Sequence, residues 1–311
     1  MSFSFDTKNE LCNISAQRVC CARAEAYGIL LFCNTFSATE VRIVTENPNF
    51  AARLPKLFHK AFGIRFDRVP EEGQQGKLVF QITEERKLHQ IINTLGYDPK
   101  QHLVLHINFG MVEENCCRAS FLRGVFFAGG SITDPLKRYH LELTTSHLQA
   151  SRELGVLLRE IGYPPKSVRR NGSFVTYFKQ SEQIEDFLTM IGAPVATLEV
   201  INAKMEKELR NKVNRRLNCD TANVDKAIEA SREQLEAIRK LREADKLDQL
   251  PEKMKETIRL REHLPELTLS ELAQEFDPPL TKSCLNHRLR KVVELARALE
   301  KKEEESEDGS L

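Results

Sequence analysis

The 311-residue chain carries 46 Lys+Arg against 45 Asp+Glu, a formal charge of +1, with 41% hydrophobic and 29% charged residues. That length accommodates two or three domains, and the composition is that of a globular protein, which excludes collagen-like, coiled-coil and wholly disordered classes. No stretch approaches the roughly 18 consecutive apolar residues of a spanning helix, and the start, Met1-Ser-Phe-Ser-Phe-Asp-Thr-Lys8, lacks the basic-then-apolar order of a secretory leader, so a cytoplasmic chain with no membrane partner is expected.

Hydrophobic periodicity predicts helices over Gln17–Phe32 and Asn115–Ala128, each ending in a polar or glycine-rich break. Strand-like segments follow, Ala38–Thr45 and Lys137–Thr144, then helices Asn49–Phe62 and His147–Ile161, closed by Gly63 and Gly162. Two short strands come next in each half, Ile64–Val69 with Lys77–Ile82, and Ser167–Arg170 with Phe174–Phe178. The second pair is joined by Asn171-Gly172, a strong hairpin signal. Each half closes on a helix ending at Asn93-Thr-Leu-Gly or Thr189-Met-Ile-Gly. Gly28 to Gly124, Gly63 to Gly162 and Gly96 to Gly192 are separated by 96, 99 and 96 positions. The spacing indicates a duplicated α+β unit.

Leu122-Arg-Gly-Val-Phe-Phe-Ala-Gly-Gly-Ser131 resembles the signature helix of LAGLIDADG homing endonucleases. Gly124 and Ala128 are four apart and share a face, where small residues admit a second signature helix; Gly28 holds the matching place in the first copy. In active members of that family the last acid of each signature helix holds a divalent cation beside the scissile phosphates. Those positions read Cys33 and Gly129 here, so the resemblance implies a scaffold that has kept the fold and lost its chemistry. Locally, Gly129-Gly130 reads as a left-handed helix cap. Arg42, Arg65, Arg68, Lys137, Arg138, Arg169, Arg170 and Lys179 lie on or beside predicted strands, a weak nucleic-acid signal because edge strands are often basic.

The eight cysteines, at 12, 20, 21, 33, 116, 117, 219 and 284, show no Cys-x-x-Cys spacing. Neighbouring cysteines on a helix point in different directions, so Cys20-Cys21 and Cys116-Cys117 suit neither a simple disulfide nor chelation, and all eight are read as reduced thiols, most of them small core residues, with no metal and no cofactor expected.

Residues 204–216 hold six bases and two acids on a predicted linker helix, equally readable as a solvated face or as a phosphate contact. Beyond it the pattern is helical, Val224–Ala244 and Pro251–His263. Thr268-Leu-Ser-Glu271 is a capping box opening a short helix, Leu269–Phe276, which ends at Asp277-Pro278-Pro279. A second helix from Thr281 has Leu285, Leu289, Val292, Ala296 and Leu299 as its buried stripe. Lys282, Ser283, Asn286, His287, Arg290 and Lys291 gather on its other face and, with Arg288, make the expected DNA-binding set; positions 281–293 contain four bases and no acid. This is a helix-turn-helix pattern, in which the second helix enters the major groove. Asn suits adenine edges, Arg and Lys suit guanine or phosphate, and His287 is the weakest member of the set. The last stretch, Glu300–Asp308, is acidic and is expected to open a disordered tail.

Asn214-Arg-Arg-Leu-Asn-Cys-Asp-Thr-Ala-Asn223 and Lys282-Ser-Cys-Leu-Asn-His-Arg-Leu-Arg-Lys291, together with the degenerate signature helix, make the chain similar to the WhiA family along nearly its whole length. The resemblance implies a bacterial DNA-binding regulator with a C-terminal domain like the promoter-reading region of sigma factors. Members are connected with sporulation in actinobacteria, and with cell division or chromosome segregation elsewhere. The expected architecture is α+β: a duplicated LAGLIDADG-like domain followed by an all-α helix-turn-helix domain. The expected segments are repeats at 1–110 and 111–203, a basic linker helix at 204–223, a DNA-binding domain at 224–300 and a tail at 301–311. Double-stranded DNA is the expected partner, with RNA polymerase or another transcription factor as a further one, in the nucleoid. A non-enzymatic transcriptional regulator leads this reading, and alanine at Arg288, Arg290 and Lys291 together is expected to flatten the salt dependence of binding. A surviving metal-dependent endonuclease would cleave DNA with Mg²⁺; an adaptor would hold a protein partner without binding DNA.

Overall fold

A computed structural model of the chain describes residues 2–97 and 105–308. They form two compact units, divided after Leu209.

The first unit opens on α1 (Phe3–Cys12), which periodicity does not signal because its apolar residues do not line one face; the Ser2 hydroxyl caps it at the Phe5 amide. There follow α2 (Val19–Phe32), β1 (Thr35–Phe36), β2 (Val41–Thr45), α3 (Pro48–Phe62), β3 (Leu78–Ile82) and α4 (Glu85–Thr94). A second series repeats the order: α5 (Asn115–Gly129), β4 (Gly130–Ile132), β5 (Leu141–Thr145), α6 (Leu148–Glu160), β6 (Lys166–Arg170), β7 (Ser173–Phe178) and α7 (Ser181–Ile191). One sheet has the order β1-β2-β3 and the other β4-β5-β7-β6, all antiparallel. Asn171 and Gly172, at φ 49° and 79°, turn β6 into β7 as a type I′ hairpin requires.

The two copies differ where β6 has no full counterpart. The predicted strand over Ile64–Val69 is reduced to a single bridge, Arg68 to Gln81. Its alternate side chains Ile64 and Phe66 sink into the core, and Asp67 turns to accept the Thr83 and Glu84 amides at 2.6 and 2.8 Å. Pro70 then ends any ladder, having no amide to donate. The strands predicted from Ala38 and Lys137 also begin later, because a turn on Ser37 binds the amides of Thr39 and Glu40 and Asp134 holds the Lys137 and Arg138 amides.

At the centre α2 and α5 cross. Both are apolar on nearly all sides and buried along almost their whole length, as expected of a helix with no solvent face. Their contact is backbone to backbone. A Cβ on Gly28 would stand 2.2 Å from the Phe121 carbonyl oxygen, and one on Gly124 would stand 2.0 Å from that of Glu25. The small-residue face is therefore a steric requirement at both positions. Gly129 and Gly130 also serve close approach, and the left-handed cap expected of them is absent: Gly130 is extended at φ −86°. A Cβ on Gly129 would meet the Thr144 carbonyl oxygen at 2.3 Å.

Beside this crossing Glu25, with no exposed surface, receives both Arg53 Nε and Nη2, at 2.6 and 2.9 Å, and Arg123 Nη1 at 3.2 Å. A buried carboxylate is tolerated only when paired in this way. Burial lowers the Arg123 pKa and Glu25 opposes that shift.

The predicted linker helix and the helix after it are one, α8 (Pro194–Glu243). Its sequence has no glycine and no proline after the first residue, so nothing interrupts the backbone ladder. The second unit takes α8 from Arg210 onward and adds α9 (Glu252–His263), α10 (Leu269–Leu272) and α11 (Lys282–Asp308). Its core comprises Ala237, Ile238, Leu241, Ile258, Val292 and Ala296, and a second cluster of Leu272, Ala273, Phe276, Leu285 and Leu289. The acidic stretch expected as a disordered tail from residue 301 continues α11 to Asp308, since Glu and Lys are good helix formers; residues 309–311 lie outside the described residues.

Candidate nucleic-acid interface

The second unit builds its exposed basic face from a short capped helix, a turn and a long helix. Thr268 Oγ1 accepts the Glu271 amide at 3.4 Å while Glu271 Oε2 accepts the Thr268 amide at 2.9 Å, so both halves of the capping box form. The α-helix lasts only to Leu272 and tightens into a 3₁₀ turn over Ala273–Glu275. The Leu280 amide returns to the Ala273 carbonyl at 2.8 Å, and Thr281 Oγ1 accepts the Cys284 amide at 3.2 Å, which starts α11.

Leu285, Leu289, Val292 and Ala296 are buried and Leu299 half-buried, as their spacing predicts. At about 100° per residue, Lys282, Asn286, Arg290, Ser283, His287 and Lys291 then follow one another around the opposite half of the helix. All six are exposed. Arg290 Nε lies 3.1 Å from Glu294 Oε1, an exposed pair that a phosphate could displace.

Arg288 departs from the expected set. It lies beside the buried stripe, half-buried, with Nη1 directed to the Lys253 carbonyl at 3.3 Å and Thr257 Oγ1 at 3.4 Å. Its guanidinium carbon is 5.7 Å from the centre of the Phe276 ring. Its charge is used to join α11 to α9 and to the turn, which a count of bases cannot reveal.

The basic run at 204–216 is likewise divided. Lys204 pairs with Glu182 at 2.5 Å and Glu185 at 3.9 Å. Lys207 donates to the Pro135 carbonyl at 2.6 Å and stands 4.3 Å over the Tyr139 ring. Lys212, Arg215 and Arg216 are exposed, with Arg216 loosely paired to Asp220 at 4.0 Å. Among the strand bases, Arg170 pairs with Glu142 at 3.4 Å, and Arg169 lies over the Phe174 ring.

In the first unit, Cys33 follows α2 directly and Gly129 ends α5, the places where the resemblance puts catalytic acids. Cys33 is buried, with its sulfur 3.2 Å from both the Leu30 and the Thr35 carbonyl oxygens, so its one S–H is shared between two acceptors. Burial pushes its pKa up to about 12, against the smaller opposing effect of hydrogen bonds, so it is a neutral thiol at physiological pH. A neutral thiol and a glycine cannot replace two oxygen-rich carboxylates for a hard cation.

The sequence reading missed one juxtaposition. Cys20, Cys21, Cys116 and Cys117, expected to point apart, bring their sulfurs within 4.8 Å of one another. The expectation considered one helix at a time, whereas the pairs meet from the first turns of α2 and α5. A signal existed: each pair is separated by the same 96 positions as Gly28 and Gly124.

Two family models match the chain, the WhiA LAGLIDADG-like domain over residues 118–210 and the WhiA C-terminal HTH domain over residues 213–296. A "Probable cell division protein WhiA" of Ruminiclostridium cellulolyticum is 38% identical over 313 residues, covering 97% of this chain and 99% of that one. One of the same name from Carboxydothermus hydrogenoformans is 37% identical over 302 residues, covering 95% and 97%. The crystal structure of full-length DUF199/WhiA from Thermatoga maritima shares the fold, with a TM-score of 0.59 at 22% identity over 96% of this chain and 99% of that one.

Proposed function

The chain belongs to the WhiA family, and from that premise we propose that it is a non-enzymatic regulator that binds double-stranded DNA through α11 and acts in cell division and chromosome segregation. The observation that carries this reading is the acid-free run 281–293, which displays Lys282, Ser283, Asn286, His287, Arg290 and Lys291 on one exposed face behind a capped helix and turn. Asn286 is the base-reading member, through adenine edges, and Lys282, Arg290 and Lys291 engage guanine or phosphate. Arg288 is a positioning residue. Exposed Lys212, Arg215 and Arg216 supply further phosphate contacts. Cys33 and Gly129 support the absence of nuclease chemistry, and the names of the relatives support the cellular process. The site of action is the nucleoid, with sporulation control as the corresponding role in spore-forming lineages and RNA polymerase as a further partner.

Binding of promoter DNA, measured as log affinity against log salt, should be linear, and alanine at Lys282, Arg290 and Lys291 together should lower the slope by about 0.9 for each phosphate contact removed. An unchanged slope would exclude α11 as the main contact. Site-specific cleavage with Mg²⁺, abolished by EDTA, would overturn the non-enzymatic reading. Discrete promoter peaks in chromatin immunoprecipitation would support gene regulation over broad chromosome coating.

A further inference from the structure

We propose that Cys20, Cys21, Cys116 and Cys117 form a four-thiolate site for a single soft, tetrahedral cation of the Zn²⁺ type, which ties together the first turns of α2 and α5. The four sulfurs come from equivalent places in the duplication, the second and third residues of α2 and of α5. Cys21 and Cys117 are buried; Cys20 and Cys116 are exposed and leave the site open to an entering ion.

The spacing selects the ligand. Zinc–sulfur bonds of about 2.3 Å in a tetrahedron place the sulfurs roughly 3.8 Å apart. Here all four lie within 4.8 Å of one another, and Cys116 and Cys117 are 4.0 Å apart, so closure on one ion needs side-chain movements of an ångström or less. An iron–sulfur cluster binds its thiolates to different metal atoms on its outside and needs a wider spread. Four sulfurs with no oxygen ligand disfavour Mg²⁺ and Ca²⁺.

The first turns of two helices surround the sulfurs. Two helix N-termini converge there, each presenting free amides and the positive end of its dipole. The Cys116 and Cys117 thiols already touch, with their sulfurs 4.0 Å apart. On binding, each sulfur exchanges its proton for a bond to the cation and the protons pass to solvent; no electron is transferred. The site lies at the opposite ends of α2 and α5 from Cys33 and Gly129. It acts as a clamp on the helix pair and is independent of the DNA contacts of α11.

The test uses the full-length chain, stripped of metal and kept reduced without oxygen, titrated with Co²⁺ and then Zn²⁺. One equivalent of Co²⁺ should give the visible bands of a tetrahedral ion, with thiolate charge transfer of four-sulfur intensity. Zn²⁺ should displace it and raise the melting temperature. The double variant Cys20→Ser, Cys116→Ser changes only the exposed members and should lose both the four-sulfur spectrum and the zinc-dependent shift in melting. Cys219→Ser with Cys284→Ser should keep both. A reduced, folded wild-type chain with no tetrahedral cobalt spectrum would overturn the site without reliance on any variant. So would an unaltered spectrum in the Cys20, Cys116 variant, or recovery of the four thiols as disulfides under reducing conditions.

Discussion

Arg288 and Arg290 stand two positions apart on α11, and their surroundings separate a packing residue from an exposed one. Arg288 holds two oxygens of α9 and covers Phe276; Arg290 pairs, among the described residues, with the exposed Glu294 one turn along its own helix. Arg288→Ala should therefore lower the stability of the second unit by about 1–2 kcal/mol in urea unfolding. Arg290→Ala should change stability by less than about 0.5 kcal/mol and instead reduce the salt slope of DNA binding. Asp67 supports a pH prediction in the first unit. Burial would raise its carboxyl, but the Lys87 hydrogen bond and the Thr83 and Glu84 amides outweigh that effect and hold it at about 2, against an ordinary 3.8. A carboxyl depressed on folding stabilises fully above its unfolded pKa, and the contribution disappears as the pH falls from about 4 to 2. Solvent screening keeps it on the order of 1 kcal/mol. The gap in urea midpoint between wild type and Asp67→Asn should shrink across that window; a gap unchanged at pH 2 would rule out the carboxylate as its source.

The helix pair α2 and α5 is where element packing is least tolerant. Gly124→Ala would put a methyl group 2.0 Å from a backbone carbonyl oxygen of the facing helix, and a backbone oxygen has no rotamer to escape into. A loss of about 3 kcal/mol or more is expected, as overpacking against main chain must push the helices apart. Gly155, inside α6, is a useful contrast: its nearest neighbour is the movable end of Arg159 at 3.6 Å, so Gly155→Ala should be neutral or stabilise by up to about 1 kcal/mol. Chemical denaturation of both variants checks the pair, and similar losses would refute the close-crossing explanation. The duplicated order of elements was legible because apolar periodicity and three glycine spacings recur. The short β1 and β4 were not, since two or three residues carry no period, and Ile64–Val69 failed as a strand because the Asp67 and Arg68 amides converge on the one Gln81 carbonyl of β3 while the Asp67 carboxylate is taken by the Thr83 and Glu84 amides.

At the scale of the whole chain, each unit buries its own apolar clusters, so each should report its own unfolding. Leu289→Ala, in the core that supports α11, should lower one calorimetric transition by the equivalent of about 3 kcal/mol and leave the transition of the duplicated unit in place; a uniform shift of a single transition would contradict that independence. The near balance of 46 bases and 45 acids conceals the basic face of α11, and this was readable because bases and acids are segregated along the chain. Sequence alone determined the α+β class, the duplication, the capping box and the buried stripe of α11. All of these depend on neighbours within a few turns or on a repeat distance. Tertiary structure decided which bases are already engaged, as with Arg288, Lys204 and Lys207, why Gly129 and Gly130 must be small, and that two cysteine pairs 96 positions apart share one space. Those outcomes follow from contacts between distant segments, where the partner of a side chain is set by the crossing of helices and not by its own periodicity.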